Sequence, residues 1–323
     1  MNLVLDYNEG TDHLALLRRI DFCNVTGPLF VDMDRVPFFH PSTLTLLYGI
    51  FKLHYCTTPG EKRTCQPASF QSSETDVNRY VQRVNFFDSC PDLKPLREEK
   101  FRRHDPAGRF VPITEVHKME ETDSVAQRIV SVIFSKSKVS GETQVKYALS
   151  ELMDNALQHA ESPIGCVVQA QLYRTNSVEG VILDCGMGVR KHLQGNRTIV
   201  SELTSDEKAL QKALEPHVSG THNRKRDPEK REGGYHNAGL GLPVCCELMK
   251  RSGGFLQLIS GKSCLTVDRE GCRHTAIAGW PGTFITFRIN YQNIANITDI
   301  IKEFDIRKTK GHNLEKGEAP KFI

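Results

Sequence analysis

The sequence is short of several features, and each shortage excludes something. No run approaches about 18 uninterrupted apolar residues, so a membrane-spanning helix is not expected. Nothing at the start has the form of a signal peptide, because Asp6, Glu9 and Asp12 follow the short stretch Met1–Tyr7 at once. The charge imbalance is small, +3 over 323 residues, which gives no indication of nucleic acid as a partner. Ten cysteines are present but no C-x-x-C pair, so a zinc site has little support. Their scatter suits reduced, buried thiols in a cytoplasmic protein.

What is present is ordinary for a folded chain: 39% hydrophobic and 25% charged residues. The length suggests two domains, 1–115 and 116–323, both α/β. In the first, Leu29–Asp34 reads as a buried strand. Pro41–His54 reads as a helix with Leu44, Leu47, Ile50 and Phe51 along one side. Residues 57–73 carry Pro, Gly, Ser, Thr and charge and read as a loop. Ser73 is placed to cap a helix that runs to Phe86 or Phe87. Residues 90–109 read as a polar surface connection. Arg109–Val116 is a last strand or the entry to the next domain, and Pro112 makes it an edge.

In the second domain, Glu121–Phe134 reads as a helix. The next helix bears an apolar stripe of Val145, Ala148, Leu149, Leu152, Met153, Ala156, Leu157 and Ala160. Glu151, Asn155 and Gln158 follow at i, i+4, i+7 with Asp154 beside them, on the opposite face. Strands are expected at Gly165–Tyr173 and Gly180–Asp184, the second running into Asp184-Cys-Gly-Met-Gly188. A long polar segment, 189–237, contains Arg224, Lys225, Arg226, Lys230 and Arg231. Gly239-Leu-Gly241-Leu then opens a helix through Arg251, which Gly253 and Gly254 cap. Strands follow at 254–260, about 273–279, and after Pro281-Gly-Thr283. A helix over Ile294–Phe304 comes last.

Singly, these motifs are compatible with plain turns and caps, since Gly and Asp dominate turns. In this order they are more specific: E-x-x-x-N on a helix, D-x-G-x-G after a strand, G-x-G-L opening a helix, and G-T starting a strand. The set resembles the nucleotide site of the GHKL superfamily, which includes gyrase and the histidine kinases and has the Bergerat ATP-binding fold. That resemblance implies a mainly antiparallel sheet covered by helices on one face, an ATP lid at about 189–237, and ATP and Mg²⁺ as ligands. The first third, FVDMDRVPFFHPSTLTLL, resembles STAS-type domains through Asp32, Val36 and Phe39. The phosphoacceptor serine of that family aligns with Pro41. Ser42 and Thr43 either substitute for it or fill the first helical turn, the simpler reading.

The resemblance assigns roles that chemistry supports. Asp184 would accept from the exocyclic amine of adenine, with Thr283 supporting it. Gly186 and Gly188 would let the backbone pass close to base and sugar. Gly239 and Gly241 would present N–H groups to phosphate at a helix N-terminus. Asn155 offers a neutral oxygen to Mg²⁺, and Glu151 would activate a water or a hydroxyl. His159 and His236 flank the site and read as supporting or surface histidines. Ser219-Gly220-Thr221 reads as a lid hinge.

Within the superfamily, gyrase-type relatives use a further domain with a catalytic Lys, and only about 30 residues follow the Gly-Thr strand here. Histidine kinases need a phosphoacceptor hairpin, for which the stretch around His117 is too short. The pattern that remains resembles serine kinases of the anti-sigma-factor type, fused to a STAS-like unit. Two functions follow. One is an ATPase or a Ser/Thr protein kinase with a STAS-like or sigma-factor-like partner, possible also as a homodimer by analogy. The other is a nucleotide-gated binding module without catalysis.

Overall fold

The structure, a computed structural model, describes residues 2–5, 8–25, 30–56, 75–88, 105–136, 141–216, 218, 241–290 and 300. In chain order its elements are β1 (Asn2–Val4), α1 (His13–Arg19), β2 (Phe30–Asp32), α2 (Pro41–Cys56), α3 (Thr75–Arg83), β3 (Phe110–Val116), α4 (Met119–Ile133), α5 (Glu142–Gln158), β4 (Cys166–Leu172), β5 (Ser177–Asp184), α6 (Gly188–Leu193), α7 (Asp206–Ala213), α8 (Gly241–Ser252), β6 (Phe255–Asp268) and β7 (Gly271–Asn290). The fold is mixed α/β. A five-stranded antiparallel sheet runs in the order β3-β4-β5-β7-β6, and β1 pairs with β2 in parallel. The expected edge strand is β3. Its register shifts between Val111 and Thr114, around Pro112, where an edge and a bulge tolerate the missing N–H.

Strand alternation sorts the sheet into two buried faces. Val168 on β4, Val178 and Ile182 on β5, and Ile285 and Phe287 on β7 meet Ile129, Leu149, Leu152, Val244 and Leu248 from α4, α5 and α8. The intervening Val167, Val181, Leu183 and Phe284 point the other way, into a core with Phe39, Leu44, Leu47 and Phe51 around α2. Helices of the second half thus cover one face, and the N-terminal third covers the other. The apolar core of residues 3–86 is continuous with the underside of the sheet.

Polar groups tie α2 down along its length. At its start the Glu179 carboxylate on β5 accepts from Arg288 at 2.9 Å, from the Ser42 N–H at 3.2 Å and pairs with His40 at 2.8 Å. Burial alone would raise the Glu179 pKa, but His40 and Arg288 hold it down at about 2. In the middle Thr45 donates to Gln169 at 2.7 Å. Toward the end Tyr48 and Lys52 both engage Glu115 on β3. Ser42 is 2% exposed and Thr43 0%, so both sit in the first turn of a packed helix.

Three expectations change. The segment 189–237 does not start as a loop: α6, a 3-10 turn at Val200–Glu202 and α7 enclose Leu193, Ile199, Leu203 and Ala209, too sparse an apolar set to stand out in so polar a stretch. The breaks expected around Gly261 and Pro281 are kinks inside two long strands, β6 and β7, joined by the turn at Arg269–Glu270. The polar face of α5 is only half polar in effect. Glu151 and Asp154 are buried, because α4 and α8 pack on both flanks of the helix. The hinge at 219–221, the basic residues at 224–231, His236, Gly239 and most of the helix expected over 294–304 lie outside the described residues.

Candidate functional site

Asp184 ends β5 on the helix-covered face of the sheet and is 3% exposed. Its Oδ1 accepts from the Gly186 N–H at 2.8 Å and the Thr283 N–H at 3.2 Å. Neither of these donors engages Oδ2. Burial raises the carboxyl to about 6, against the pull of the two N–H groups and the Thr283 hydroxyl. A carboxylate kept at the end of a buried strand at such cost is a functional-site signal.

The turn after Asp184 is held by close backbone contact. Met187 N–H donates to Ala160 O at 2.7 Å, and a Cβ on Gly186 would lie 1.9 Å from that same oxygen. Gly282, at φ +93°, brings its peptide against Asp184; a Cβ there would lie 2.5 Å from Asp184 Oδ1. The contact that demands glycine at 186 is therefore with the protein itself. Ser260 completes the knot: its Oγ donates to Gly282 O at 2.6 Å and accepts from the Val189 N–H at 3.0 Å.

Ala160 follows α5, so the turn sits at the C-terminal end of that helix. Glu151 lies two turns before the helix ends, about 10 Å back along the axis from Gln158. Its Oε2 accepts from the Gly241 N–H at 3.0 Å, and its Oε1 from the Tyr147 hydroxyl at 2.5 Å. Gly241 starts α8, and a Cβ on it would lie 2.9 Å from Glu151 Cβ and 3.1 Å from Ala148 O. The first described N–H of α8, expected to face phosphate, thus meets the Glu151 carboxylate. Asn155 is exposed on the same side of α5, one turn from Glu151 and one turn from His159. The rings of His159 and His192 stack at 4.8 Å, closing α5 against α6 beside the Gly186–Gly188 turn. Burial, and then His159, hold His192 down at about 4, so it is neutral at pH 7.

The structure brings together Asp184, Gly186, Gly188 and Thr283 as one cluster, and Glu151 with Gly241 as a second. Asn155 lies between them on α5, and Gly239 is outside the described residues. Sequence reasoning missed Ser260 and Tyr147, and named Gly282 only as the glycine of the G-T motif. Tyr147 had a signal, since it stands four residues before Glu151 on one helix face. Ser260 had none, being one hydroxyl in a strand. Among the described residues no group of three or more His, Cys, Asp or Glu is arranged to hold a metal ion. No helix among them is long and apolar enough to cross a membrane. No protein-family model matches the chain, and no curated protein matches it.

Proposed function

We propose that the chain binds Mg-ATP along α5, with the base at the Asp184 end and the phosphates toward Glu151. The observation that carries this is Asp184: a buried carboxylate with both backbone donors on one oxygen, at a strand end. The other oxygen then suits an exocyclic amine. The donor set also fits the ion and the phosphates in kind. Asn155 supplies a hard neutral oxygen open to solvent, and the start of α8 supplies a favourable dipole, its Gly241 N–H being already held by Glu151. Magnesium, when bound, neutralises phosphate charge. The rest falls to the chain's own side chains. Asp184 selects the base, Asn155 holds the ion near the helix, and Glu151 takes a proton from a water or from a partner's hydroxyl.

On this proposal the protein is an ATPase or a Ser/Thr protein kinase working with a protein partner of STAS-like or sigma-factor-like type. Its own N-terminal third is an unfavourable acceptor, because Pro41 stands at the family's phosphoacceptor position and the neighbouring hydroxyls of Ser42 and Thr43 are buried. One observation favours the second function, a nucleotide-gated binding module: both Glu151 oxygens are already engaged, by the Tyr147 hydroxyl and the Gly241 N–H, before any water or partner hydroxyl arrives.

Purified protein with γ-labelled ATP and Mg²⁺, wild type against Glu151→Ala, separates the two. Turnover or protein labelling that disappears in the variant, with nucleotide binding intact, supports the enzyme. Binding without release or transfer of label in either form leaves the gated module. Asn155→Ala should lose Mg-dependent binding, and unchanged affinity would refute the site.

A further inference from the structure

A single hydroxyl links the start of the proposed lid segment to the carboxylate that would read the base. The Val189 N–H donates to Ser260 Oγ at 3.0 Å, and Ser260 donates to the Gly282 carbonyl at 2.6 Å. That carbonyl and the Thr283 N–H belong to the same peptide unit, and the Thr283 N–H donates to Asp184 Oδ1 at 3.2 Å. The four groups form one continuous hydrogen-bonded chain from the first turn of α6 to Asp184. In such a chain each bond polarises the next, so the last donor is stronger and better aimed than a lone N–H. Ser260 is 4% exposed, and Gly188 at φ +77° would put a Cβ 2.8 Å from its Oγ, so nothing bulkier reaches the bond.

Resting on the nucleotide assignment above, we infer that Ser260 is a positioning residue for base recognition, fixing Asp184 for the adenine amine and coupling it to the head of the segment at 189. Ser260 touches no nucleotide in this arrangement; it acts through the Gly282–Thr283 peptide. Without the hydroxyl, the Val189 N–H and Gly282 carbonyl lose a buried partner and the peptide is free to tilt. Asp184 Oδ1 then loses a fixed donor, and its Oδ2 is no longer aimed.

The test compares ATP with purine riboside triphosphate, which lacks the 6-amino group, by equilibrium binding with Mg²⁺ to the full chain. Wild type should prefer ATP. Ser260→Ala should cut that preference roughly fivefold while leaving purine riboside triphosphate affinity within about twofold. Ser260→Cys keeps the branching and a weaker donor on a somewhat larger atom and should fall in the same direction, so the outcome does not depend on one variant folding. The pH at which the ATP preference fades, near the Asp184 value of about 6 in wild type, should move upward in both variants. Preference retained in the variants, or equal losses for both nucleotides, overturns the role of Ser260 and leaves the nucleotide site standing. Wild type that binds neither nucleotide overturns the site itself, and the inference with it.

Discussion

Replacing Asp184 by Asn should stabilise the protein at neutral pH while removing the preference for adenine nucleotides proposed for it. The Asp184 carboxyl is raised from an ordinary 3.8 to about 6, first because it is buried. A raised acid is fully favourable to folding below its unfolded value, and that contribution is lost as pH rises through about 6. At pH 7.5 the whole difference is a cost, which at about 1.4 kcal/mol per pH unit comes to about 3 kcal/mol as an upper limit. Asn keeps an oxygen for the Gly186 and Thr283 N–H groups and drops the charge. Its amide must itself be buried, so the net gain should be about 1–2 kcal/mol. Thermal melts of both forms at pH 7.5 and pH 4 read this directly. The variant should melt a few degrees higher at pH 7.5, and the difference should close and then reverse toward pH 4, where the charge cost is nearly gone and the amide cost remains. A variant less stable at pH 7.5, or a gap that ignores pH, would refute the electrostatic reasoning.

Other perturbations probe the frame around the site. Gly241→Ala forces a Cβ to 2.9 Å from Glu151 Cβ, so α8 must shift; denaturant titration should show a loss of about 1–3 kcal/mol. Glu179, held at about 2, contributes stability that is present above about 4.5 and lost as pH falls toward 2. Glu179→Gln should therefore cost about 1–3 kcal/mol at pH 7, discounted because Arg288 is 36% exposed; an unchanged unfolding midpoint would contradict this. A chain starting near residue 105 would bare Val167, Val181, Leu183 and Phe284. It should aggregate where the full chain is monodisperse in light scattering.

Much of the sheet and its helical cover was legible because the periodicity was strong. The stripe from Val145 to Ala156 is buried as the spacing demands, and Asp184 closes its strand as the D-x-G-x-G pattern suggested. Glu151 was legible as a residue but not in its contacts. Its partners are a tyrosine one turn away and an N–H ninety residues on, and only packing brings the second one there. The two strands β6 and β7 were legible only in pieces, since Gly261 and Pro281-Gly282 look like ends when they are kinks. The burial of the second sheet face by α2 was not legible at all. Val181 and Leu183 read as a buried strand, but nothing local says which side Phe51 and Leu47 will meet.

The central claim is that a nucleotide lies along α5 with its base at Asp184. Photolabelling with 8-azido-ATP in the presence of Mg²⁺, followed by peptide mapping, tests it most directly. Label competed by ATP should fall on the peptides containing Ala160, Cys185–Val189 and Gly282–Thr283, which converge around Asp184. Label that ATP does not compete, or that maps away from these three segments, would contradict it.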